Sequence, residues 1–251
     1  VVNGDDPAWS KLDANGRSIC TFALNSPADI RAESVQMGPN GSDFELVIDS
    51  ERREVRFPLL ARFNIENALA AAAVGAAYGL SIDEIALGLS TAPQVAGRLE
   101  TVVTEPFTVL IDFAHTPAAL KSVLEALRPL TQGRLIVVFG AGGDRDRTKR
   151  GPMAAAVARS ADIIVLTSDN PRTEDPEQIL DDLVKGLEGK VHERLVDRDD
   201  AIRLAFSTAR EGDTLVLAGK GHETYQVIGD KQRPFDERAI VQDCLAELGV
   251  S

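Results

Sequence analysis

The sequence predicts an α/β protein in two parts, a doubly wound parallel sheet in the C-terminal portion and a mixed α/β portion before it. Three observations point there. Residues 109–111, 135–139, 163–166 and 215–217 are unbroken apolar runs, the pattern of strands covered on both faces. Stretches with apolar residues at helical spacing separate them, an order that implies βαβ units with right-handed crossovers. Before residue 58 the text changes to short strand-like pieces broken by turn residues.

Taken in order, residues 19–24, 30–35, 44–48 and 55–57 read as strands, with Asn25-Ser26-Pro27 and Gly38-Pro39-Asn40-Gly41 as turns between antiparallel pieces. Asn64 is expected to cap an alanine-rich helix through about Tyr78, in which residues 70–77 are packing material. Ser81, with Glu84 three residues on, opens a second helix through Leu89 by the capping-box pattern. The pattern breaks at residues 93–97, which read as a linker, so the expected domains are 1–98 and 99–251.

In the second part the helices carry matched apolar faces: Leu120, Val123, Leu124 and Leu127; Ile179, Leu180, Leu183, Val184 and Leu187; Ile202, Ala205, Phe206 and Ala209. Thr116-Pro117 and Asp175-Pro176 each join an N-cap to a proline at the first helical position, and Asp175 with Gln178 also fits a capping box. A closing helix over 236–248 presents Ile240, Val241, Cys244, Leu245 and Leu248.

Bulk numbers narrow the function. With 27 Lys plus Arg against 39 Asp plus Glu, a formal charge of −12, a nucleic-acid-binding surface and attraction to an anionic membrane are both disfavoured. Anionic small substrates would need a local basic patch. Cys20 and Cys244 lack the spacing of a metal knuckle and read as buried thiols in a reducing cytoplasm, with no disulfide. No apolar run approaches the roughly 18 residues of a membrane span, and the start lacks the basic-then-apolar order of a signal peptide, so no membrane insertion is expected. The chain opens without Met on what reads as the end of a buried strand, which suggests a longer protein whose N-terminal part is missing.

Chemistry is expected where the parallel strands end, because ligand crevices of open α/β sheets lie beyond the carboxyl ends. The four runs are followed by Asp112-Phe113-Ala114-His115-Thr116-Pro117, by Gly140-Ala141-Gly142-Gly143-Asp144-Arg145-Asp146-Arg147, by Asp169-Asn170-Pro171-Arg172 and by Gly219-Lys220-Gly221-His222-Glu223. Glycines let backbone approach a ligand, helix starts offer N–H groups to anions, and the interleaved charges suit a zwitterionic or multiply charged substrate. Arg172 can form a two-pronged pair with a carboxylate, or pair with its neighbours Glu174 and Asp175. Each loop alone reads as a solvated turn; four opening on one edge favour a site.

Other chemistries fit poorly. The glycine loop has Arg145 at the third position of a G-x-G-x-x-G fingerprint. Gly219-Lys220-Gly221 lacks the spacing and the Ser or Thr of a P-loop, and no G-x-S-x-G elbow occurs. His115, His192 and His222 are too scattered for a metal site.

Residues 64–67 with their alanine-rich continuation, Gly97-Arg98, residues 112–117, 142–146, 169–172 and 219–223, and Phe235-Asp236-Glu237-Arg238 together resemble the Mur ligase family, most closely its diaminopimelate-adding members, in order and at similar spacing over the whole chain. The resemblance implies the latter part of a central ATP-binding domain over 1–98, followed by a Rossmann-like ligase domain over 99–251 that binds the incoming amino acid. The family's UDP-binding domain, P-loop, magnesium ligands and carbamylated lysine would lie upstream.

It also implies an ADP-forming ligase that activates UDP-MurNAc-L-Ala-D-Glu as an acyl phosphate for attack by meso-diaminopimelate, using ATP and Mg2+. By the same resemblance Arg145, Asp169, Asn170, Pro171, Arg172, Gly219 and Glu223 form the amino-acid site, with Glu223 and the Gly219 carbonyl accepting from the distal ammonium. Asp112 and Arg98 resemble residues holding ATP ribose and phosphate, Asn64 and Asn67 those near adenine, and His115 a group on the ATP side that orients phosphate or else caps the next helix with Thr116. Members carrying the Asp-Asn-Pro-Arg form use diaminopimelate, whereas those adding L-lysine typically lack that arginine. Leaving the extra carboxylate unpaired would cost about 3 to 5 kcal/mol in a desolvated pair. Lys149 and Arg150 are read as basic lining or as a surface pair at a helix start, and Lys220, flanked by glycines, as a functional cation on a bare loop. Rival readings are an L-lysine-adding, folylpolyglutamate-type or cyanophycin-type ligase of the same superfamily, and a non-catalytic amino-acid-binding module.

Overall fold

The computed structural model describes residues 1–247. The chain forms two compact units, Val1–Gln94 and Val95–Ser251.

In the first unit five strands lie in sequence order: β1 (Val2–Asn3), β2 (Thr21–Ala23), β3 (Ile30–Gly38), β4 (Gly41–Ile48) and β5 (Glu51–Phe57). The pairs β3–β4 and β4–β5 are antiparallel, but β2 runs parallel to β3 and to β1, unlike the all-antiparallel arrangement expected from the turn residues. Asp29 accepts from Thr21 N at 2.8 Å and its own N donates to Thr21 Oγ1 at 3.0 Å. The loop after β2 therefore returns to the start of that strand, and β3 leaves beside it in the same direction. Pro39 and Asn40 make the hairpin between Gly38 and Gly41. Gly41 sits at φ 130°, and a Cβ there would lie 2.2 Å from Phe57 O, so only glycine fits.

Helices α1 (Arg62–Ala77) and α2 (Ile82–Ser90) cover this sheet, packing Ile65, Leu69, Ala72, Ile85 and Leu89 on Phe44, Leu46, Val55 and Phe57. The capping box at Ser81 and Glu84 is formed in both directions. Asn64 is not the cap of α1. The N-cap is Ala61, at φ 77° with no side-chain cap bond, and Asn64 lies inside the first turn, where its Nδ2 donates to Leu60 O at 2.7 Å. The sequence hid this start because Ala61 has no capping chemistry to recognise.

In the second unit a six-stranded sheet has the order β10-β9-β8-β11-β7-β6, from β6 (Glu100–Val103), β7 (Thr108–Asp112), β8 (Leu135–Phe139), β9 (Ile163–Leu166), β10 (Glu193–Arg194) and β11 (Thr214–Ala218). All pairs are parallel except β6 with β7. The chain steps from β7 through α3 (Pro117–Leu127), α4 (Arg150–Ser160) and α5 (Pro176–Val184) toward β10, then returns through α6 (Arg198–Thr208) to β11. Right-handed crossovers put helices of opposite travel on opposite faces. Accordingly α3, α4 and α5 pack side by side, while α6 packs with α7 (Glu237–Glu247).

Alternate strand residues follow suit. Val109, Ile111, Ile136, Val138, Leu215 and Leu217 join one cluster with Ile202, Ala205, Phe206, Ile240, Val241 and Cys244. Thr116 and Asp175 cap α3 and α5, each followed by proline. Leu248, expected on the last helix, lies outside the described residues. A hairpin of β12 (Tyr225–Ile228) and β13 (Lys231–Pro234) follows β11. Among the described residues no helix is long and apolar enough to cross a membrane.

Candidate functional site

Parallel strands deliver their carboxyl ends to one edge, and there the loops after β7, β8, β9 and β11 wall a cavity of about 480 Å³. Phe113 and His115 line it from the first loop, Gly142, Arg145, Asp146 and Lys149 from the second, Asp169, Asn170 and Arg172 from the third, Gly219 and Glu223 from the fourth. Met153 of α4 and Ala141 add apolar wall that the sequence reading did not single out.

Glycine makes two of these loops touch. A Cβ on Gly143 would lie 1.8 Å from Pro171 O and one on Gly140 2.2 Å from Thr167 O. Gly143 N donates to Asn170 O at 2.9 Å across this contact.

Arg172 is half-buried, at φ 53°, with its backbone pinned to the β12–β13 hairpin: its N donates to Val227 O at 3.0 Å and its O accepts from Gly229 N at 2.7 Å. Its Nη1 donates to Gly143 O at 2.8 Å and Asn170 O at 3.4 Å, whereas Nε and Nη2 have no hydrogen-bond partner among the described residues. One end of the guanidinium is thus fixed by neutral carbonyls and the other edge is free for a carboxylate. The neighbouring acids do not take it. Glu174 receives Arg147 and the buried Arg150, and Asp175 accepts from Glu177 N. Arg145 stands exposed at the rim, where its Nη1 reaches Asp144 O at 3.4 Å.

Asn170, 5% exposed, is the brace between loops. Its Nδ2 donates to Glu223 Oε2 at 2.9 Å, and its Oδ1 accepts from Lys220 Nζ at 3.2 Å and Val227 N at 2.9 Å. Lys220 does not stand on a bare loop as its glycine neighbours suggested. It is 0% exposed, with Nζ 3.1 Å from Glu223 Oε2 and 4.0 Å from Asp169 Oδ1. Its long stem lets the ammonium turn inward to the acceptors. Burial works to raise the Glu223 carboxyl, but the Asn170 amide and the Lys220 ammonium outweigh it and hold the group below its ordinary value.

Arg150 is also turned inward, 1% exposed, paired with Glu174 and with Asp182 at 3.0 Å and donating to Gly142 O at 3.3 Å. Of that basic pair only Lys149 is exposed. Beneath the floor Arg198 donates to Ser168 O at 3.3 Å and Ala218 O at 3.0 Å and pairs with Glu237 at 2.7 Å, all four residues being 5% exposed or less. It ties together the chain positions just before Asp169 and Gly219.

At the β7 end Asp112 spends both carboxylate oxygens on backbone, accepting from Leu99 N and Ala114 N, each at 2.7 Å. Burial pushes its carboxyl above the ordinary value against those bonds and against the nearby charges of Arg98 and His115. The exposed Arg98 lies over the half-buried Phe113 ring at 5.1 Å, and the exposed His115 ring packs edge-on to it with centroids 4.5 Å apart. Thr116, not His115, caps α3; the His115 ring bonds Phe113 O. Asn64 and Asn67 belong to the first unit, where Asn67 Nδ2 donates to Asn64 Oδ1 at 3.2 Å. Among the described residues no group of three or more His, Cys, Asp and Glu side chains is placed to hold a metal ion.

Two family models match the chain, the Mur ligase middle domain over residues 1–75 and the Mur ligase glutamate ligase domain over residues 97–221. A Bacillus velezensis protein named UDP-N-acetylmuramoyl-L-alanyl-D-glutamate--2,6-diaminopimelate ligase is 42% identical over 250 residues, covering 99% of this chain and 51% of its own length. A Gloeobacter violaceus protein of the same name is 43% identical, covering 98% and 51%. A solved structure of a protein with that name superposes with TM-score 0.73 at 34% identity, over 99% of this chain and 53% of the other. A Mycobacterium tuberculosis folylpolyglutamate synthase complexed with ADP and AMPPCP superposes with TM-score 0.63 at 25% identity, over 79% of this chain and 46% of its own. The chain spans about half the length of the curated relatives it matches. Two matching domain models in order, with relatives above 40% identity over nearly every residue, establish that the chain belongs to the Mur ligase family.

Proposed function

We propose that this chain provides the amino-acid-accepting part of an ATP-dependent, ADP-forming ligase that adds meso-diaminopimelate to UDP-MurNAc-L-Ala-D-Glu through an acyl phosphate, in the cytoplasm. The observation that carries the reading is the half-anchored Arg172. Its open Nε and Nη2 edge on a cavity-lining side chain matches the one carboxylate that distinguishes diaminopimelate from lysine. Glu223 supplies the counterpart for the distal amine, because its Oε1 has no hydrogen-bond partner among the described residues and its carboxyl is held ionised. The relatives' names agree in substrate.

In this reading residues 1–98 are the latter part of the ATP-binding domain and residues 99–251 the ligase domain, a division supported by the separation of the compact units after Gln94. Arg145, Asp169, Asn170, Pro171, Arg172, Gly219 and Glu223 hold the amino acid. Asn64 and Asn67 serve the adenine side and Arg98 and His115 the ribose and phosphates, while Asp112, whose oxygens are both taken by backbone, serves that side by holding Leu99 and Ala114 in place. When bound, ATP supplies the phosphoryl group that activates the acceptor carboxylate. The chain's own part is positioning, with Arg172 and Glu223 fixing one end of the amino acid so that its other amine is presented for attack.

Calorimetric titration of the chain with meso-diaminopimelate and L-lysine tests the reading, followed by addition of ATP and the nucleotide dipeptide. Heat with diaminopimelate and little with lysine is expected, without phosphate release by this chain alone. Equal heats from the two amino acids would remove the assignment of Arg172.

A further inference from the structure

Lys220 is wholly buried beside a polar cavity, and its polar contacts are with residues that form one end of that cavity. Its Nζ lies 3.1 Å from Glu223 Oε2, 3.2 Å from Asn170 Oδ1 and 4.0 Å from Asp169 Oδ1, and 5.7 Å from the centre of the Tyr225 ring. A desolvated ammonium is tolerated only when paired and hydrogen-bonded. Here two carboxylates surround one ammonium, leaving one negative charge in excess. Lys220 bonds one oxygen of Glu223, and Asn170 bonds the same oxygen, so the other is left for a visitor.

Resting on the ligase reading above, we propose that Lys220 is a positioning residue that makes recognition of the second amine of the incoming amino acid, and not only of its second carboxylate, a built-in demand of the site. It fixes the orientation of Glu223 and keeps its carboxylate charged in a place where burial alone would favour the neutral acid. With Lys220 and Asn170 both on one oxygen, a ligand lacking that amine leaves the other Glu223 oxygen without a donor and the excess negative charge of Glu223 and Asp169 unmatched, which penalises such a diacid.

The other charged groups around Glu223 are His222 on its own loop and Asp169 after β9. Across the cavity stand Arg172 after β9, Arg145, Asp146, Lys149 and the buried Arg150 after β8, and His115 after β7. Lys220 is the one that bonds Glu223 directly. Without it the desolvation that raises the Glu223 carboxyl is opposed mainly by the Asn170 amide.

The experiment compares meso-diaminopimelate with L-2-aminopimelate, which keeps both carboxylates and lacks one amine, by calorimetry on the unaltered chain, Lys220→Met and Glu223→Gln between pH 8 and 6, with thermal unfolding as a check on folding. The unaltered chain is expected to prefer diaminopimelate by about 100-fold, with little change over that range. In Lys220→Met the preference should shrink to about tenfold or less, and diaminopimelate affinity should fall as pH drops. Glu223→Gln should lose the same preference at all pH values, and if Lys220→Met does not fold, Lys220→Gln, which keeps a donor but no charge, takes its place with the same expected outcome. A folded Lys220→Met variant that keeps both preference and pH response, or a Glu223→Gln variant that keeps the preference, overturns the proposal. Failure of the unaltered chain to bind either diacid overturns the ligase reading itself, and this proposal with it.

Discussion

The loops after β9 and β11 look alike in sequence, each a cation among turn residues, yet the structure uses the two cations in opposite ways. Arg172 is held at one end by the carbonyls of Gly143 and Asn170 and keeps a free edge in the cavity wall, while Lys220 is swallowed whole by Asn170, Glu223 and Asp169. The chemistry of the two side chains explains the division. A planar guanidinium can be anchored by one nitrogen and still offer a fork, whereas a compact ammonium on a flexible stem surrenders its donors to the nearest acceptors. A basic residue in a ligand loop is therefore evidence of charge placement, and only its donors decide whether that charge is presented or spent.

Substitutions put this contrast to the test. Gly143→Ala should have the largest effect, destabilising the fold by about 3 kcal/mol, because the added carbon would overlap Pro171 O and must push the two loops apart. Chemical denaturation measures this, and a loss below about 1 kcal/mol would mean that the loops separate easily. Next, Arg172→Ala should weaken meso-diaminopimelate binding about 100-fold and L-lysine binding hardly at all, by calorimetry. Equal losses for both would place the free edge elsewhere. The smallest effect concerns acid. The Glu223 carboxyl is held below its ordinary 4.5, so its ionised form contributes stability above that pH and the contribution disappears as pH falls through the lower folded-state value. Glu223→Gln should accordingly flatten the fall in melting temperature below about pH 4.5, and Arg172→Ala should leave that slope as it is.

Much of the second unit was readable in the sequence because its signals are local and strong. Unbroken apolar runs gave the central strands, and a cap followed by proline marked α3 and α5. What escaped lacks a period. β10 is Glu193-Arg194 and β13 is Lys-Gln-Arg-Pro, polar edge pieces whose pairing depends on the neighbour they find. Only Gly229-Asp230, a two-residue turn between β12 and β13, could have announced the hairpin that pins Arg172. Within the candidate site, the loops could be read because each follows a buried strand, but the inward turn of Lys220 and Arg150 depends on acceptors whose meeting no local pattern announces: Glu223 three residues on together with the distant Asn170 for one, and Glu174 with Asp182 for the other. In the first unit, the direction of β2 was set by the Thr21–Asp29 exchange, which no turn motif announces.

The ion pair of Arg198 with Glu237 makes the last helix a keystone for a cavity it does not line. Severing the backbone between β13 and α7 would let Glu237 drift from Arg198, stranding a guanidinium under the roots of two cavity loops. Labels or fusion partners are better attached to the outer side of that helix, at the exposed Gln242 and Ala246 and clear of the Asp243 and Glu247 pairs with Arg203, than inserted ahead of it.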